Sequence, residues 1–135
     1  MPKDSHFQQL LLAAADQPEP QRLLFVFARA DLPERASREQ RDRFNAGRGG
    51  TLTPLMCVGK APIDLADFDA LLAESRRAGP PWQVVFAAGL SGAEGRPSTE
   101  AEIGPALEKM INAVWTGGVG EFAAFNPSGE PIQIG

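Results

Sequence analysis

The chain has 135 residues, a net charge of −4 and 43% hydrophobic residues. That is the size and balance of one globular domain, 1–135, with enough core to need no disulfide or metal staple. The acidic balance argues against general nucleic-acid binding, which needs a basic footprint. No apolar run approaches the roughly 20 residues of a membrane span.

Ser5 with Gln8 forms a capping-box pattern, and Phe7, Leu10, Leu11 and Ala14 follow at helical spacing, which predicts a helix over 5–16. Gln17-Pro-Glu-Pro-Gln21 ends it, because proline removes donors and restricts its predecessor. Leu23 to Ala28 is apolar without alternation, the pattern of a strand covered on both faces, as in a central parallel strand. Asp31 to Arg35 reads as a turn. Ser37 with Gln40 opens a short polar helix to about Asn45, and three glycines at 47, 49 and 50 close it.

Pro54 to Val58 is the second predicted strand. A helix to about Arg77 follows, capped by Asp64 or a neighbour, with Leu65, Phe68, Leu71 and Leu72 as its stripe. Gly79 and Pro80-Pro81 end it. Trp82 to Leu90 is the third strand. Thr99 with Glu102 caps a last helix carrying Ile103, Leu107, Met110, Ile111 and Val114, closed by Gly117-Gly118. Pro105 conflicts with a start at residue 99 and predicts regular helix only from about Gly104. Phe122 to Phe125 and Ile132 to Ile134, joined by Asn126-Pro-Ser-Gly129, predict a C-terminal β-hairpin. The fold class is α/β, a mixed four- or five-stranded sheet with packed helices. Alternating strands and helices favour parallel pairing through crossovers.

Candidate chemistry is sparse. His6 and Cys57 are the one histidine and one cysteine. A thiol inside an apolar strand reads as a buried, inert small hydrophobe, and neither residue has metal-ligand spacing or an activating partner. No catalytic residue, metal site or cofactor is predicted. Asp64, Asp67 and Asp69 read as a cap and a solvated helix face. Five arginines against three carboxylates in 34–50 read as a solvated helix with internal ion pairs.

The best ligand candidate is the loop from Gly89 to Ser98, placed between a strand and a helix. Gly92 and Gly95 free the backbone to converge on an anion, and Ser91, Arg96 and Ser98 supply donors. Its spacing matches neither a dinucleotide fingerprint nor a phosphate loop. Asp31 and Lys60 would join it if all three strands ran parallel, since ligands of open parallel sheets bind at the strands' carboxyl ends.

Gln17-Pro-Glu-Pro-Gln-Arg-Leu-Leu-Phe-Val-Phe-Ala, Asp31-Leu-Pro, Gly49-Gly-Thr-Leu-Thr-Pro-Leu-Met-Cys-Val and Trp82-Gln-Val-Val-Phe-Ala-Ala-Gly-Leu-Ser-Gly together cover most of the chain. In these segments it resembles a family of small uncharacterised proteobacterial proteins that often carry the label "ribonucleotide reductase subunit alpha". The resemblance implies a bacterial, cytoplasmic, stand-alone small domain. Ribonucleotide reduction is not expected, because it needs several redox cysteines and a large radical-bearing barrel. The reading is a non-catalytic binding or protein-interaction module. Its partner is another protein or a second copy, a homodimer built on the terminal hairpin's open edge or the helix face beside it. The alternative is a small-molecule or anion-binding protein, possibly enzymatic, using loop 89–98.

Overall fold

The computed structural model describes residues 5–31, 37–45 and 51–132. The elements in chain order are α1 (Ser5–Ala15), β1 (Gln21–Asp31), α2 (Arg38–Asn45), β2 (Thr51–Lys60), a single 3₁₀ turn (Pro62–Asp64), α3 (Phe68–Ala78), β3 (Val84–Ser91), α4 (Glu100–Thr116) and β4 (Ala123–Phe125). The four strands form one sheet in the order β2-β1-β3-β4.

Every strand pair in that sheet is antiparallel, which overturns the expectation of parallel pairing. The apolar run Leu23 to Ala28 reports burial on both faces, and burial carries no information about direction. β2 and β3 do run the same way, with α3 between them in sequence. β1 is inserted between them in the sheet and opposes both.

Alternation along β1 sends Leu23, Phe25 and Phe27 to one face and Leu24, Val26 and Ala28 to the other. The first set packs with Phe7 and Leu11 of α1 and with Phe68 and Leu71 of α3. The second packs with Ile103, Met110 and Val114 of α4. The result is a sheet between two helical layers, with α1 and α3 on one side and α4 on the other.

Phe7 holds α1 in place. Its ring is fully buried and lies 5.4 Å from Phe68 and 5.7 Å from Phe125 in edge-on arrangements, and 6.1 Å from Phe25. On the same face Trp82 packs 5.1 Å from Phe27, and its indole N–H donates to Ser75 Oγ at 2.8 Å. That bond explains why Ser75 is tolerated among buried residues.

Strand β2 extends past the predicted Pro54–Val58 at both ends, from Thr51 to Lys60, and carries Pro54 within it. The strand lies at the sheet edge, where a missing N–H is tolerated. The register also shifts there: Phe27 faces Met56, while Ala28 faces Pro54. The extra residue, Leu55, is a bulge, so Leu55 and Met56 both pack on the α1/α3 side.

Cys57 is exposed, which corrects the reading of it as a buried thiol. It pairs with Val26, and the edge position of β2 leaves it uncovered.

The cap of α3 is Asp67, whose carboxylate accepts from the Ala70 N–H at 2.8 Å. Asp64 sits in the separate 3₁₀ turn, so the three aspartates do not share one helix face. Helix α4 runs regularly from Glu100, not from Gly104, with Pro105 inside it. The capping box at Thr99 holds the first turn, and Pro105 has no N–H to donate to the Ala101 carbonyl one turn back. Gly117, at φ 80°, ends the helix in the left-handed conformation. The C-terminal hairpin is visible in part. Pro131 bridges Phe125, and Ile132 N–H donates to the Ala124 carbonyl. Its predicted outer strand to Ile134 extends into 133–135, outside the described residues.

Two stability measurements follow from this packing. Phe7→Ala should cost about 3–5 kcal/mol in urea unfolding, the usual loss for a buried phenylalanine, and should loosen α1 first. Pro105→Ala should raise stability by about 1–3 kcal/mol, since it restores one helical hydrogen bond and removes a clash.

Candidate functional site

The antiparallel order separates residues that a parallel sheet would have gathered. Asp31 is the last residue of β1 and pairs with Thr51, while Gln21, at the other end of β1, pairs with Ser91. Ten residues of strand, about 33 Å, lie between Asp31 and the loop. The side chain of Asp31 lies outside the described residues. Lys60 is at the loop's end of the sheet, opposite Leu23, whose other neighbour is Gly89. Its ammonium is tied to α3, 2.6 Å from Glu74 Oε1.

The loop after β3 closes on itself and on the segment before β1. Gly92 N–H donates to the Pro20 carbonyl at 2.8 Å, and Ala93 and Arg96 exchange a pair of backbone bonds. Gly95, at φ 76°, donates its N–H to Glu19 Oε2 at 2.9 Å. Gln21 Nε2 donates to Ser91 Oγ at 2.7 Å. Ser98 is buried, and its hydroxyl donates to the Ser91 carbonyl at 3.1 Å. A Cβ on Gly92 would collide with the Arg96 carbonyl, so the glycine serves the close approach of two backbone strands. The amides of 92, 93, 95 and 96 are thus all engaged, and Gly95 already holds a carboxylate of the chain itself. Arg96 is exposed at the tip.

Beside this loop lies a cleft of about 860 Å³. Its walls are α1, the link 17–22 and the turn 61–66, and the loop contributes Gly95 and Pro97. Gln8 Nε2 donates to the Ala66 carbonyl at 3.2 Å, which ties α1 to the turn. Two large apolar residues line the cleft and remain exposed: Leu12 at 68% and Ile63 at 91%. The lining also includes Glu19 and Arg22, its two charged residues.

This cleft was not singled out by sequence reasoning, although signals existed. Leu10, Leu11 and Leu12 are consecutive, and a helix cannot bury three successive residues on one face. Ile63 stands in a tight turn between Pro62 and Asp64, where an apolar side chain has no core to enter. Among the described residues no group of three or more His, Cys, Asp or Glu could hold a metal ion. No helix of the described residues is long and apolar enough to cross a membrane. No family model, curated protein or solved structure matches the chain.

Behind the loop, Glu102 accepts from the Thr99 N–H at 3.0 Å and from its hydroxyl at 3.1 Å. These bonds, the backbone one foremost, hold its carboxyl below the usual glutamate range. A lowered folded-state pKa means stability that is present above the unfolded value and lost as pH falls through the folded one. NMR titration should place Glu102 below the ordinary glutamate value. Thr99→Ala, which keeps the backbone bond, should move it only part of the way back.

Proposed function

We propose that this protein is a non-catalytic binding module, and that it binds through the cleft between α1, residues 17–22 and the 61–66 turn. The partner is a protein, a second copy of the chain included. The observation that carries this reading is the pairing of Leu12 and Ile63, both exposed, on one concave surface. Isolated surface leucines need no explanation, but two large apolar side chains bordering a cleft form a patch that a partner would cover. Apolar anchors seated in concave surfaces supply most of the binding energy in protein interfaces.

Anion binding by loop 89–98 has less support. The amides of Gly92, Ala93, Gly95 and Arg96 already have partners within the chain, and Lys60 is committed to Glu74. The net charge of −4 disfavours nucleic acid as the partner.

The test is a double variant, Leu12→Asp with Ile63→Asp. Both side chains are exposed, so the melting temperature should stay within about 2 °C of the parent, as surface changes usually cost under about 0.5 kcal/mol. Affinity capture from the native host with parent and variant as paired baits should lose its specific partner in the variant. The same partners retained at the same yield by both baits would contradict the reading.

A further inference from the structure

Strand β2 stands at one end of the order β2-β1-β3-β4, and among the described residues no strand pairs with its outer side. The direction of its backbone groups follows from β1. The Ala28 carbonyl accepts from the Gln83 N–H, just before β3, and the Ala30 N–H donates to the Gln83 side chain. Even-numbered residues of β1 thus turn their N–H and C=O toward β3, and odd-numbered ones turn theirs toward β2. There Phe25 meets Val58 and Leu23 meets Lys60, so Val58 and Lys60 bond inward. Cys57 and Gly59, alternating with them, turn their N–H and C=O outward. Pro54 and the Leu55 bulge blunt the first half of the strand as a docking edge. Residues 56–60 carry no such guard, and their one charge, on Lys60, is countered by Glu74 at 2.6 Å. An open edge of this kind is completed by another extended backbone.

We propose that the chain pairs with a second copy of itself along residues 56–60, the two β2 strands running antiparallel about a two-fold axis at Val58. The strand's own symmetry points to this occupant. With the axis at Val58, Cys57 lies opposite Gly59 of the second copy and Gly59 opposite its Cys57. Both outward residues are then used, each pair exchanging two N–H···O bonds. Pro54 and Leu55 fall beyond the point where the copy's strand ends at Lys60, so neither disturbs the ladder. An axis at Cys57 would bring the Leu55 bulge into the ladder, and one at Gly59 would set Cys57 past the copy's strand end. The side chains agree with the same axis. On the α1/α3 face Val58 meets Val58 of the second copy, about 4.5 Å apart at Cα, and Met56 lies along the stem of its Lys60. Met56 and Val58 border a cavity of about 310 Å³ between β2 and α3, also lined by Phe27 and Leu71, which the copy's apolar side chains would cover. On the other face the exposed Cys57 meets Gly59, which has no side chain to obstruct it. None of residues 56–60 lines the cleft, so this face is separate from the one proposed above.

The test is amide hydrogen exchange of the 135-residue chain, read by NMR with reductant present. For a dissociation constant of about 100 µM, the scale of a short interface, the Cys57 and Gly59 amides should exchange about threefold more slowly at about 1 mM than at about 50 µM. The Val58 and Lys60 amides, bonded to β1, should be protected at both concentrations. Sedimentation over the same range should show the dimer. Cys57→Pro removes an outward N–H and no bond to β1, so the variant should fold and stay monomeric. The concentration series on the parent needs no variant, so it stands even if Cys57→Pro fails to fold. Exchange at Cys57 and Gly59 that does not change with concentration would overturn the inference, and any dimer seen by sedimentation would then lie on another face. A folded Cys57→Pro that associates as the parent does would overturn it as well. Leu12→Asp with Ile63→Asp should dimerise like the parent; loss of the dimer there would move the interface to the cleft and overturn the pairing along β2.

Discussion

Leu23 to Ala28 are six consecutive buried residues, sent alternately to opposite faces of the sheet. A strand buried on both sides must be flanked within the sheet and covered above and below. β2 and β3 flank it, α1 and α3 cover one face, and α4 covers the other. Removing any one of these would expose apolar surface at about 25 cal/mol per Å². β2, β3, α1, α3 and α4 have their places because Leu23 to Ala28 offer water no polar face.

That constraint also shapes the cleft. α1 is docked by Phe7, buried among Phe25, Phe68 and Phe125, and this docking fixes which side of the helix faces outward. Leu11 is turned inward and Leu12 outward. The link 17–22 carries the chain from α1 back into β1, and its Pro20 carbonyl and Glu19 carboxylate hold the loop after β3. The cleft therefore has walls from three stretches distant in sequence, 8–22, 61–66 and the loop at Gly95 and Pro97, tied by hydrogen bonds at Gln8, Pro20 and Glu19. It is a consequence of packing at one end of the sheet and needs no dedicated motif.

Much of the fold was legible in the residues, and for physical reasons. The helices announced themselves by periodicity and caps, as at Thr99 with Glu102, and the strands by unbroken apolar runs. Strand direction was not legible. An apolar run such as Leu23 to Ala28 looks the same whether its neighbours run with it or against it. Edge position was equally hidden, which is why Cys57, in a run as apolar as its neighbours, proves exposed. Pro54 and the Leu55 bulge are the local marks of that edge. The candidate site was legible only in fragments. The loop 92–98 was visible through its glycines, but the backbone amides of 92, 93, 95 and 96 are engaged within the chain, as the Gly95 bond to Glu19 shows.

The dependence of the whole molecule on β1 is open to direct measurement by native-state hydrogen exchange. Amides of Leu24 to Phe27, together with Val85 and Phe86 beside them, should exchange slowest, with an opening free energy equal to that of global unfolding. Amides of α2, whose described side chains are exposed, should exchange far faster. Exchange of the β1 amides at rates comparable to those of α2 would contradict the account, because it would mean that β1 opens without unfolding the layers that depend on it.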